Sequence, residues 1–228
     1  SISVAGTRFH CANHKRHGAQ SVTQALENSC NQSFIQIGAR LGREAFCDYF
    51  AAFGLREPTG IDLPAEPKQS LYYTADRMGP VELASCAFGQ SSKISYLEMA
   101  AAVCAVVNGG KLMQPYVVSE ILAPDGSTIE QFSPVCKRQV LKAETSQTMR
   151  EMMEAVVLHG GGRNAQIPGY RVGGKSGTSQ KLDSADEKAR IASFVAVAPI
   201  DDPQFLCLVC LDEPHSWTTA GGSLSAPV

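Results

Sequence analysis

The chain lacks a charge excess. Its 20 basic residues stand against 22 acidic ones, a formal net charge of −2, so no broad basic face offers itself to nucleic acid or to an anionic membrane surface. The one basic cluster, HKRH at 14–17, reads as a solvated turn. Also missing is any apolar run of about 18 residues, the length a membrane-spanning helix needs. The opening SISVAGTRFH has neither the charged nor the apolar region of a signal peptide. No internal repeat or low-complexity linker divides the sequence, and 44% hydrophobic with 18% charged residues excludes a disordered or collagen-like chain. What is left is a soluble, folding chain of 228 residues, enough to bury one sizeable core.

Metal-ligand spacing is scarce as well. The cysteines Cys11, Cys30, Cys47, Cys86, Cys104, Cys136, Cys207 and Cys210 stand singly in apolar contexts and read as small buried hydrophobes. Cys207 and Cys210 form a C-x-x-C, but within FLCLVCLDEP, a strand pattern that sends them to opposite faces and argues against a redox pair. His10, Cys11, His14 and His17 in HCANHKRH could be drawn as a zinc site. Tetrahedral zinc needs three or four converging ligands, and no distant partner pair of the usual spacing accompanies them. No metal and no cofactor are expected.

Helices come first along the chain. The spacing predicts short helical turns over 22–27, a helix over 31–41 stopped by Gly42, and another over 43–53 stopped by Gly54. Ser29-Cys30-Asn31 therefore lies at a helix junction. Residues 57–73 are rich in Pro, Thr and Gly and read as a loop; 96–107 is an apolar helix ended by Asn108-Gly109-Gly110. A hairpin is expected over 117–122 and 128–132 around Pro124-Asp125-Gly126-Ser127, then a helix over 148–157 carrying Met149, Met152, Met153, Val156 and Val157 on one face and ended by Gly160 to Gly162. The last third changes period: 172–180, 191–199 and 204–211 read as strands, with the polar link LDSADEKAR between the first two. Helices followed by an antiparallel meander give an α+β layer structure.

Two chemistries claim the stretch GYRVGGKSGTSQK, residues 169–181. Gly169, Gly174, Lys175 and Ser176 fit the phosphate-cradling pattern G-x-x-x-x-G-K-[ST], and Asp212-Glu213 at the end of an apolar strand imitates its magnesium-holding partner. A phosphate loop works because a buried strand feeds a turn that opens a helix. Here GGGRNAQIP upstream is turn material, and Gly177 after the lysine weakens a first helical turn by about 1 kcal/mol relative to Ala. A nucleotide binder stays a remote alternative. The same residues suit a strand better, and Lys175, Ser176, Gly177 and Thr178 then fit the Lys-[Ser/Thr]-Gly element of serine acyl transfer. Such a strand edge pairs with an extended peptide while its lysine and hydroxyls hold a carboxylate. On it Lys175 and Gly177 share one face, Ser176 and Thr178 the other. Ser29 and Asn31, spaced i, i+2, fit the S-x-N element that returns the leaving-group proton and holds the substrate amide, although a bare Ser-x-Asn is also an ordinary helix cap.

With both elements in that order, the chain resembles the transpeptidase domain of class B penicillin-binding proteins over nearly its whole length. HGAQSVTQALENSCNQSFIQIGARLG, FGLREPTGIDLPAE, FGQSSKISYLEMAAAVCAVVNGG, GYRVGGKSGTSQK, ASFVAVAPIDDPQFLCLVCLDEP and the terminal GGSLSAPV carry the likeness. The resemblance implies a serine β-lactamase-like α+β fold, an antiparallel sheet with helices packed on it, with a helical part over about 19–110 and a sheet part over about 165–228 of a domain covering 1–228. It implies a D,D-transpeptidase that cross-links peptidoglycan stem peptides ending in D-Ala-D-Ala and is trapped by β-lactams. In it Ser29 moves the leaving-group proton, Asn31 holds a substrate carbonyl and Lys175 supplies positive potential. Ser176 and Thr178 bind the carboxylate, the Thr178 N–H gives half of the oxyanion hole, and Gly177 keeps the strand clear. A membrane anchor, an outward-facing location and partners among cell-wall synthesis membrane proteins follow from the resemblance alone.

One family element is absent. The nucleophile belongs to an S-x-x-K, and none of the nine lysines has a serine three residues before it. The chain is therefore expected to be a truncated transpeptidase domain, incomplete at both ends and inactive by itself. A non-catalytic penicillin-binding-like scaffold or sensor module, and a carboxypeptidase, stay open as alternatives.

Overall fold

A computed structural model describes residues 1–67, 71–181, 184–186 and 188–228. The expected loop over 57–73 and the polar link over 182–190 fall partly outside these residues.

A short hairpin, β1 (Ile2–Val4) and β2 (Thr7–Phe9), leads into a helical half. Helix α1 (Val22–Glu27) starts at Ser21, whose hydroxyl accepts from the Gln24 N–H while the Gln24 side chain accepts from the Ser21 N–H. Helix α2 (Asn31–Leu41) follows at once and ends at Gly42, and α3 (Arg43–Ala52) begins there. Helix α4 (Pro80–Ala87) opens with proline in its first turn, where the missing N–H costs nothing. It packs against α2 so closely that a Cβ on Gly38 would lie 2.5 Å from Ala87 Cβ. Helix α5 (Tyr96–Val107) is capped by Ser95 and Glu98 in the same reciprocal way as α1.

Two small sheets follow. Strand β3 (Lys111–Gln114) pairs with β6 (Val135–Gln139), and between them β4 (Glu120–Leu122) and β5 (Thr128–Gln131) form the expected hairpin, shorter than its sequence pattern. Helix α6 (Ala143–Leu158) starts five residues before the pattern that predicts it and lies on the main sheet. That sheet has the antiparallel order β7 (Gly173–Gln180), β8 (Arg190–Ala198), β9 (Phe205–Asp212). A four-residue turn of helix, α7 (Gly221–Leu224), closes over β7 and β8.

The core sits between α5, α6 and the middle strand. Val157, Ala165, Val172, Phe194 and Ala226 form one buried cluster, and Val107, Met153, Val197 and Ile200 another. Ala192 on β8 is 0% exposed, as a central strand covered on both faces requires. A third, small cluster of Cys11, Ala25 and Cys30 seals the far side of the α1–α2 junction. Among the described residues no helix is long and apolar enough to cross a membrane.

Candidate active site

Ser29 is the middle one of the three residues, Asn28, Ser29 and Cys30, that join α1 to α2. Its φ is 48°, a left-handed conformation that costs a non-glycine residue on the order of 1 kcal/mol. Backbone hydrogen bonds hold it there: Ser29 N–H donates to Leu26 O at 3.1 Å and Cys30 N–H to Ala25 O at 2.9 Å. The result is an exposed hydroxyl on a fixed turn, followed by a buried Cys30 that immediately precedes α2. Asn31, the first residue of α2, donates its side-chain amide to His10 O at 2.8 Å.

Strand β7 delivers the second half. Its residue Lys175 sits opposite Val195 and its Thr178 opposite Ala192. Lys175 Nζ donates to Ser29 Oγ at 3.0 Å and to Ser176 O at 2.8 Å, with Ser176 Oγ 3.5 Å away. Burial of the ammonium pushes its pKa down to about 8. Two residues 146 apart in sequence thus share one hydrogen bond. Thr178 Oγ1 accepts from Gly221 N–H at 3.1 Å, so α7 is tied to the end of the same strand. A Cβ on Gly177 would stand 2.5 Å from Ser193 Oγ, so glycine there lets β7 and β8 lie close.

The triglycine Gly160-Gly161-Gly162 was legible only as the end of α6. The fold uses it as a spacer between the two halves. Gly161 N–H donates to Glu27 O at 3.2 Å, and a Cβ on Gly160 would lie 2.6 Å from that same oxygen. Nearby, the Asn164 amide donates to Gly222 O at 2.9 Å. The signal was three consecutive glycines, more than one helix terminator needs.

The phosphate-loop alternative does not survive the backbone. After Lys175 and Ser176 the chain continues as strand to Gln180, so no helix N-terminus faces the loop. Asp212 and Glu213 instead take Lys181, at 2.9 and 3.1 Å. The four-ligand cluster drawn from HCANHKRH is not assembled either: the rings of His10 and His14 meet edge to face with centroids 4.5 Å apart. Cys11 turns inward, its sulfur 3.7 Å from that of Cys30. Burial opposes ionisation of Cys30, yet the Ser33 hydroxyl and N–H, with His17 and Cys11 beside it, outweigh it and bring the thiol down to about 6. Cys207 and Cys210 are free thiols on β9.

A polar turn bearing a fixed hydroxyl thus meets a lysine of the edge strand β7 through one hydrogen bond. The family described as penicillin binding protein transpeptidase domain matches residues 3–228. The chain belongs to the penicillin-binding protein transpeptidase family. As a transpeptidase domain it is 41% identical over 228 residues to Stage V sporulation protein D of Bacillus subtilis, covering 99% of this chain and 35% of that protein. To the peptidoglycan D,D-transpeptidase FtsI of Escherichia coli it is 29% identical, covering 93% of this chain and 35% of that one. Among solved structures, penicillin binding protein 3 of Mycobacterium tuberculosis in complex with aztreonam superposes with a TM-score of 0.88 at 30% identity, over 99% of this chain and 53% of that one. The α+β penicillin-binding fold is thereby established, while the transpeptidase domain described here spans about a third of the length of these curated relatives.

Proposed function

We propose that the full-length protein is a peptidoglycan D,D-transpeptidase acting by serine acyl transfer, and that this chain supplies its leaving-group and carboxylate-binding parts. Residues 1–228 are on this reading a partial transpeptidase domain, helical over about 19–110 and sheet-based over about 165–228. The observation that carries the proposal is the 3.0 Å hydrogen bond from Lys175 Nζ to Ser29 Oγ. Because Lys175 donates, the Ser29 proton is free to point at a substrate nitrogen.

The reaction balances around that proton. A serine oxygen, supplied by an S-x-x-K outside these residues, attacks the carbonyl between the two D-alanines. The C–O bond forms, the C–N bond breaks, and the proton of the attacking hydroxyl reaches the departing D-alanine amine through Ser29. The amine of a second stem peptide then attacks the acyl carbon: the new C–N bond forms, the ester C–O bond breaks, and the amine's proton returns through Ser29 to the serine oxygen. Asn31 holds the donor peptide's amide carbonyl, Ser176 and Thr178 its terminal carboxylate, and the Thr178 N–H half of the oxyanion charge. β-Lactams enter the same path and stop at the acyl-enzyme. The same reading places the protein on the outer face of a bacterial membrane among other cell-wall synthesis proteins.

Intact mass of the full-length protein after benzylpenicillin treatment tests this. One penicilloyl group on a serine outside these residues is the expected result, with none on the isolated chain. A folded full-length sample without any adduct overturns the enzyme and leaves a non-catalytic cell-wall module.

A further inference from the structure

Behind Ser29 and Asn31 lies a group of side chains that acyl transfer does not use. Cys11, on the loop after β2, and Cys30, at the start of α2, are each 4% exposed, and their sulfurs stand 3.7 Å apart. The ligand atoms of Cys11, His17 and Cys30 all lie within 4.8 Å of one another. The Nδ1 of His17 is buried with no hydrogen-bond partner. A buried ring nitrogen in that condition loses the free energy of a missing hydrogen bond unless something else takes its lone pair.

We propose that Cys11, His17 and Cys30 form a binding site for zinc or an equivalent soft divalent cation, seated directly behind the Ser-x-Asn turn. The donor set is two sulfurs and one imidazole, the mixture that selects such ions over calcium or magnesium. The geometry fits the ion. Two zinc–sulfur bonds of about 2.3 Å at the tetrahedral angle place the sulfurs about 3.7–3.8 Å apart, and the observed separation is 3.7 Å. A zinc-bound sulfur and nitrogen sit about 3.6 Å apart on the same reasoning, so the His17 ring has to close by little more than about 1 Å. Gln32 Nε2, 3.8 Å from Cys11 Sγ, supplies an outer donor to that sulfur.

The ion ties together two segments that both serve the site. Cys30 is the middle residue of Ser29-Cys30-Asn31, and Cys11 follows His10, whose carbonyl holds the Asn31 amide. Occupancy pins the turn from below without touching substrate. Spacing rules miss the site because the third ligand arrives 19 residues after Cys11 instead of within the HCANHKRH cluster. The inference does not depend on the acyl-transfer reading.

The test uses the full-length protein, reduced and stripped with chelator, titrated with cobalt(II) as a spectroscopic stand-in for zinc. Uptake of one equivalent with a thiolate-to-cobalt charge-transfer band and tetrahedral d–d bands, displaced by zinc and lost in both Cys30→Ser and His17→Ala, supports the site. His17 is half-buried, so its variant keeps the test open if Cys30→Ser does not fold. Bands that persist in both variants place the metal on other cysteines and overturn the proposal. So does the absence of any band on a reduced, folded sample, or a Cys11–Cys30 disulfide with no metal uptake after reduction.

Discussion

At the residue scale the site turns on one ammonium. Lys175 donates to Ser29, and burial holds its pKa near 8 instead of the ordinary 10.5. Below about 8 the nitrogen is a cation in both folded and unfolded chains, and the burial cost is fully present. Between about 8 and 10.5 the unfolded chain binds the proton more tightly, so stability rises with pH while the positive potential at the site disappears. Penicillin acylation of the full-length protein is therefore expected to fall as pH climbs through about 8, read by rapid-mixing kinetics. Lys175→Ala should slow the same reaction by about a hundred- to a thousandfold, the loss typical of removing one preorganised charge. Glu66 makes a structural counterpart. Its carboxylate accepts from Thr59 N–H and Oγ1, both at 2.6 Å, and from Gly60 N–H at 3.0 Å. Burial raises its pKa, the Thr59 and Gly60 donors outweigh that, and the net shift is down from 4.5. The stability it contributes is present above the ordinary carboxylate range and is lost as pH falls through the folded value. Glu66→Ala strands the buried Thr59 and should cost about 1–3 kcal/mol in denaturant unfolding.

At the element scale the sequence was legible wherever a helix or strand announces its own ends. Gly42 marks the end of α2 and Asn108-Gly109-Gly110 that of α5, and the period-two runs mark β7, β8 and β9 to within a residue or two. Helix α4 hid because Gly79-Pro80 reads as a turn and its small residues give no strong face; its reason for being is tertiary, to buttress α2 through Gly38 and Ala87. The pairing of β3 with β6 hid because 20 residues and a hairpin separate them. Ser29, Asn31 and Lys175 were legible as types in order, whereas the inward turn of Cys11 toward Cys30 was not, since no local pattern records a contact across a junction. The triglycine shows the same limit. Gly160→Ala pushes a methyl carbon to 2.6 Å from Glu27 O, which is backbone and cannot swing away. A loss of about 1–3 kcal/mol by thermal unfolding is expected, together with slower acylation, because Glu27 ends the helix that carries Ser29.

At the scale of the whole molecule, the order β7-β8-β9 gives the sheet two unequal borders. One faces the site: Lys175 of β7 reaches Ser29, and Thr178 takes the Gly221 N–H of α7. Beyond the other, among the described residues, no strand pairs with β9, and Phe205 at its start is 74% exposed. A strand with a free row of amides and carbonyls and an apolar anchor behaves as a template for more strand. Light scattering of the 228-residue chain should accordingly rise with concentration and drop in Phe205→Lys, while a flat profile for the unaltered chain would mean that its β9 border is not adhesive. The border that does no chemistry thus governs how the molecule behaves in company.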